Sequence, residues 1–150
     1  MYSKKLRDIR EEKEIKQLDI MHIINVKNST YSMYETEKDI IPIKHLNTLC
    51  NYLDISLDYV FEFNDVKKYD NFKSEIDKKE SGKRLKEFRK EKKLTQNKLA
   101  DILNTTHSTI TDYERGRYYI ATPFLYTICK KYNISADYLL GKIESPKYLK

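Results

Sequence analysis

Apolar residues recur along this chain at the three- and four-residue spacing of helices that bury one face, and the signal is clearest in the C-terminal half. There Leu85 and Phe88, with the aliphatic stem of Lys92, predict a first helix over 82–93 with a basic outer face. Thr95 is a good N-cap for a second helix ending at Leu103; its apolar stripe is Leu99, Ile102 and Leu103, and small Ala100 allows a neighbour to approach closely. Asn104 follows, and its short amide tolerates the positive φ that a tight turn between crossing helices requires. Thr106 caps a third helix, His107–Glu114, which turns Ile110 and Tyr113 inward and His107, Ser108, Thr111 and Asp112 outward. Gly116, between Arg115 and Arg117, ends it. Thr122 followed by Pro123 predicts an N-cap and first residue for a fourth helix, with Leu125, Ile128, Cys129 and Tyr132 facing in. Ser135 caps a short fifth, Ala136–Leu140, that places Asp137 at the favourable helix start and stops at Gly141.

The same pattern occurs twice. At an offset of 79 residues Leu6–Phe61 matches Leu85–Leu140 without a gap, with identities at Leu6/Leu85, Arg10/Arg89, Gln17/Gln96, Asn25/Asn104, Ser29/Ser108, Thr30/Thr109, Tyr34/Tyr113, Glu35/Glu114 and Cys50/Cys129. The fold predicted is all-α: two tandem five-helix domains, 1–63 and 83–142, with a connector at 64–82 and a tail at 143–150. Val66, Tyr69, Phe72 and Ile76 stand three and four apart in the connector, which predicts a helix there. As a helix, its 18 residues 64–81 would span about 27 Å, and a flexible coil would average a similar distance.

Composition and charge separate the copies. The chain is 35% charged and 39% hydrophobic with three Gly and three Pro, too apolar for disorder and too poor in breakers for an all-β fold. Its net charge of +6 suits a polyanion but decides little alone. Residues 4–63, however, carry nine Lys and Arg against eleven Asp and Glu, a net of −2, whereas residues 83–142 carry thirteen against six, a net of +7. Because phosphate neutralisation supplies most sequence-independent affinity for DNA, the second copy is predicted to be the stronger DNA binder. The first copy also has Lys16 and Lys27 at its cap positions, Thr36 in place of Arg115 and Glu37 in place of Gly116.

The residues Leu94-Thr95-Gln96, Leu99-Ala100, then Ser108-Thr109-Ile110 with Tyr113-Glu114-Arg115-Gly116-Arg117, then Ile134-Ser135-Ala136-Asp137-Tyr138-Leu139-Leu140-Gly141 resemble the Cro/repressor-type helix-turn-helix family, also called the xenobiotic response element family. The resemblance covers 83–141 closely and 4–62 more loosely. It implies a lambda-repressor-like fold and a sequence-specific, double-stranded-DNA-binding transcriptional regulator, a repressor in type, whose third helix enters the major groove. On that resemblance Thr106, His107, Ser108 and Asp112 face bases, as do Lys27, Asn28 and Ser29 in the first copy. Gln96, Arg89, Arg115 and Arg117, and Gln17 in the first copy, bind phosphates. Asp112 is acidic on the reading face, suited to accept from a cytosine amine or to repel other bases.

Other classes are weighed against this. The acidic first copy leaves open an antitoxin-like or anti-repressor module that binds a partner protein, or a homodimer contact. No Ser-His-Asp, phosphate-loop or metal-hydrolase pattern is present, so no enzyme is expected. Two cysteines and three scattered histidines make no usual metal-ligand set, no cofactor is implied, and Cys50 and Cys129 are expected as small core residues. No apolar run approaches the roughly 18 residues of a membrane span, so a soluble, cytoplasmic protein is expected.

Overall fold

In a computed structural model that describes residues 2–149, every extended element is a helix, and the chain divides into two compact units between Asp70 and Asn71. The first unit holds α1 (Tyr2–Glu12), α2 (Gln17–Ile24), α3 (Asn28–Glu35), α4 (Ile43–Leu53) and α5 (Leu57–Val60). The second holds α6 (Lys78–Glu91), α7 (Gln96–Leu103), α8 (His107–Glu114), α9 (Thr122–Tyr132) and α10 (Ala136–Leu139). Tandem five-helix domains are therefore what the chain forms. Among the described residues no helix is long and apolar enough to cross a membrane, and no group of three or more His, Cys, Asp or Glu is placed to hold a metal.

Local chemistry sets the helix ends. In the second unit the hydroxyls of Thr95, Thr106 and Ser135 accept from the amides of Lys98, Thr109 and Tyr138, each satisfying one of the unpaired N–H groups at a helix start. In the first unit Lys16 and Lys27 occupy the first two of these positions, where an ammonium has no lone pair to accept with, and neither side chain caps its helix. Asp19 compensates in part by taking the backbone N–H of Lys16 at 3.1 Å. Asn25 and Asn104 both adopt the left-handed conformation, at φ 56° and 55°, and fold each second helix onto its third. The fourth helix of the second unit opens one residue earlier than expected: Ala121 is its cap position, and Thr122 is already helical and buried.

The cores follow the predicted stripes except at Ile102 and Tyr132, which are only partly covered. Leu85, Phe88, Leu99, Leu103, Ile110, Leu125, Ile128, Cys129, Leu139 and Leu140 are buried in the second unit, and Leu6, Ile20, Tyr31, Leu46, Leu49, Cys50, Leu53 and Leu57 in the first. Each such large aliphatic or aromatic side chain contributes about 1.5–3 kcal/mol relative to exposure.

Two segments differ from expectation. No helix forms over 64–77; helical structure begins at Lys78, capped by Asp77, whose carboxylate accepts from the amides of Lys79 and Glu80. The connector is tied to each unit by hydrogen bonds, while Val66 and Phe72 stay exposed instead of forming one buried stripe. Ser56 Oγ donates to the carbonyl of Val66, Tyr69 Oη to Asp58, and on the other side the amide of Lys73 donates to the carbonyl of Lys142. Backbone groups committed to such turns are not free for an i→i−4 ladder. The residues after 142, read as a tail, also pack. Ile143 is buried, the amide of Ser135 donates to the carbonyl of Lys147, and Leu149 pairs with Asn133. Arg84 donates to the carbonyls of Tyr138 and Ile143 and to the carboxylates of Glu80 and Glu144.

The copies also differ in backbone strain. Gly116 (φ 74°) and Gly141 (φ 82°) stand where the first unit has Glu37 (φ 61°) and Glu62 (φ 64°) in the same left-handed region. A Cβ at Gly116 would lie 2.9 Å from the Cα of Lys79 in the early turn of α6, a residue with no counterpart in the first unit. Glutamate is thus tolerated at 37 but remains in a conformation disfavoured by about 1–2 kcal/mol. Glu37→Gly is expected to stabilise the first unit by about 1 kcal/mol, read as a higher urea midpoint at unchanged slope; an unchanged midpoint would remove strain from this account.

Candidate nucleic-acid interface

The second and third helices of each unit are joined to the first by one polar brace. Arg89 on α6 donates from Nε to Glu114 Oε2 at 2.6 Å and from Nη2 to Glu114 Oε1 at 3.0 Å, while Nη1 reaches the carbonyl of Leu94 at 3.0 Å. Gln96, at the start of α7, donates to Glu114 Oε1 at 2.9 Å and accepts from Thr111 Oγ1 at 3.1 Å. The first unit repeats this with Arg10, Ile15, Gln17 and Glu35, the Arg10–Glu35 contacts again at 2.6 and 3.0 Å. Burial pushes the Glu35 carboxyl up, but hydrogen bonds from Arg10 and Gln17, with the Arg10 charge, hold it below the usual carboxylate range.

Arg89 was expected at a phosphate and stands elsewhere. Its side chain is 11% exposed and engaged by Glu114, which is 4% exposed, so it fastens α6 to the end of α8 instead of reaching outward. Gln96 and Gln17 are half-buried with their amides turned to the brace, and each keeps one amide N–H beyond the bond to glutamate. The brace could have been found by sequence: arginine, glutamine and glutamate are all identical at the 79-residue offset in domains whose net charges have opposite sign.

The outward surface of the α7–α8 pair carries the other candidates. Thr106, His107 and Ser108 are exposed around the N-terminus of α8, and Arg115 and Arg117 are exposed in the loop that follows it. Asp112 is partly covered, and its Oδ1 takes Arg117 Nη1 at 3.2 Å, so the acidic residue on this face is partly neutralised. Tyr118 beside them is 63% exposed. Lys98 adds an exposed cation on α7 that sequence reading did not single out. The surface is therefore a helix start with polar side chains, flanked by cations.

In the first unit Lys27, Asn28 and Ser29 are exposed at the matching helix start. Their surroundings have changed. Thr36, Glu37, Lys38 and Asp39 replace the cationic loop, and Leu18, Met33 and Ile40 are exposed where the second unit has Asn97, Asp112 and Tyr119. Periodicity hid this apolar set, because a lone leucine or methionine in a helical pattern reads as core.

Comparison with known proteins agrees with this geometry. A family described as a helix-turn-helix domain matches residues 82–145, and a second described as helix-turn-helix matches residues 6–60. The chain is 42% identical over 66 residues to the HTH-type transcriptional regulator ImmR of Bacillus subtilis (strain 168), a match covering 44% of this chain and 52% of that protein. The chain thus spans about half the length of the curated relative it matches.

Proposed function

We propose that this chain, which carries two helix-turn-helix domains in tandem, is a sequence-specific, double-stranded-DNA-binding transcriptional regulator of the Cro/repressor type, acting as a repressor. The observation that carries this reading is the exposed start of α8, with Arg115 and Arg117 exposed in the loop after its end, in a unit of net charge +7. In it α8 enters the major groove, Thr106, His107 and Ser108 read base edges, and Asp112 discriminates for or against cytosine. Arg115, Arg117 and the remaining N–H of Gln96 hold phosphates, aided by the positive end of α7. The relative's printed description as a transcriptional regulator supports the same reading.

Selection of bound sequences from random DNA tests it. The wild-type chain is expected to yield a consensus, and His107→Ala with Ser108→Ala to relax it at about two adjacent positions, each contact contributing roughly 1–3 kcal/mol of discrimination. The salt dependence should stay nearly unchanged, since neither residue neutralises a phosphate. Lys27→Ala with Asn28→Ala is expected to leave the consensus intact. Absence of any consensus, or one indifferent to His107 and Ser108, would overturn the assignment.

A further inference from the structure

Resting on the reading that the second domain grips DNA, we propose that Thr111 is a positioning residue whose hydroxyl sets the amide of Gln96, so that the N–H not bound to Glu114 is aimed at a phosphate. The Gln96 side chain ends in a carbonyl oxygen and an amide nitrogen with two protons. One N–H donates to Glu114 Oε1 at 2.9 Å, and the oxygen accepts from Thr111 Oγ1 at 3.1 Å. A glutamine amide left to itself turns almost freely about its last torsion. The carboxylate of Glu114 selects which end is nitrogen, because an amide oxygen facing it would be repelled, but a single bond leaves rotation about that contact. The second bond, at the other end of the same planar group, removes it and fixes the direction of the remaining N–H. Less freedom is then lost when that N–H meets its phosphate.

The hydroxyl is itself held in place. Thr111 Oγ1 also lies 3.1 Å from the carbonyl of His107, one turn earlier in α8, so one rotamer serves two acceptors that share its single proton. The duplicated domain serves as an internal control. Gln17 keeps its bond to Glu35 Oε1 at 2.9 Å, but the residue matching Thr111 is Ser32, and among the described residues no hydrogen bond joins Ser32 to Gln17. Serine lacks the γ-methyl that narrows the rotamers of threonine. The basic domain therefore pins its glutamine at both ends, and the acidic domain at one. A brace that served folding alone would need only the arginine, glutamate and glutamine that both domains have.

Affinity of the full chain for the sequence it selects from random DNA tests this, measured for the wild type, Thr111→Val, Thr111→Ser, Gln96→Ala and the double variant Gln96→Ala with Thr111→Val. Valine keeps the shape and removes the donor at a partly covered position, so melting behaviour is expected to stay that of the wild type. Thr111→Val is expected to bind about 5-fold more weakly, the usual contribution of one neutral hydrogen bond. In the Gln96→Ala background the same change should cost less than about 2-fold, because the group it positions is gone. Thr111→Ser, which keeps the donor but frees its rotamer, should fall between the wild type and Thr111→Val. The salt slope should not move, since the amide of Gln96 carries no charge, whereas a displaced α8 would lose slope through Arg115 and Arg117 as well. A Thr111→Val that binds as the wild type does, an equal loss with and without Gln96, or a loss accompanied by a lower salt slope would overturn the proposal. A wild-type chain that selects no sequence would instead remove the DNA reading on which it rests, which separates the two failures.

Discussion

Replacing Arg115 and Arg117 together with alanine is expected to weaken DNA binding roughly 100-fold near physiological salt and to reduce the slope of log K against log[salt] by about 2. Both numbers come from counting contacts. Each lost phosphate contact removes a charge-assisted hydrogen bond of about 1.5 kcal/mol and one released counterion, the latter contributing about 0.9 to the slope. Both guanidinium groups are exposed in the loop after α8, so their removal should leave folding nearly untouched. Arg117 also neutralises Asp112. Its loss exposes that carboxylate to DNA, so the double variant should lose more than Arg115→Ala and Arg117→Ala measured against a neutral neighbour would suggest. Asp112→Asn in the same background should recover part of the affinity. A salt slope that does not move would show that α8 does not lie against the phosphates in this way.

Glu114→Gln is expected to destabilise the second unit by about 3–5 kcal/mol, the usual consequence of leaving one member of a buried ion pair without its partner. Glutamine keeps the shape but cannot neutralise Arg89, which is 11% exposed and already engaged at Nε, Nη1 and Nη2. Out of a total of about 5–15 kcal/mol for a small domain, this is enough to unfold much of it. Urea melts followed by circular dichroism measure the loss. DNA binding should fall with the folded fraction, in contrast to the loop variant, which separates the two. In the first unit Glu35 supplies the corresponding pH test. Its folded pKa is depressed, so the stability it adds is present above its unfolded value of about 4.3 and is lost as pH falls through the folded value. Glu35→Gln should lack that acid-sensitive increment; an identical acid profile would remove the pair from the stability of this unit.

Helix placement was legible wherever a side chain both caps and punctuates. Thr95, Asn104, Thr106, Gly116 and Ser135 mark ends in the sequence and mark them in the structure. The connector was not, because Val66, Tyr69, Phe72 and Ile76 imitate a helical stripe while their surroundings are set by tertiary contacts that no local pattern encodes. Asp77, one residue past that stripe, caps α6 through its carboxylate, so the helix starts where the imitation stripe ends. At the site, outward placement of His107 and Ser108 followed from periodicity, whereas Thr111 and Asp112, read as outward in the same way, are partly covered, and Arg115 and Arg117 came from the family resemblance. The inward turn of Arg89 did not: a basic residue on a helix reads as solvated unless its acidic partner, here 25 residues away, is sought alongside it.

The position of the brace bears on how a duplicated gene diversifies. Arg10, Gln17 and Glu35, like Arg89, Gln96 and Glu114, fasten the three helices from beneath, while the residues that differ most between the copies lie above it in solvent. Folding and recognition are thereby inherited as separable traits. One copy could exchange asparagine for leucine, aspartate for methionine and arginine for threonine on its outer surface without loosening its frame. A single duplication could then yield two specialists where a fold with its binding groups in the frame would have yielded a spare.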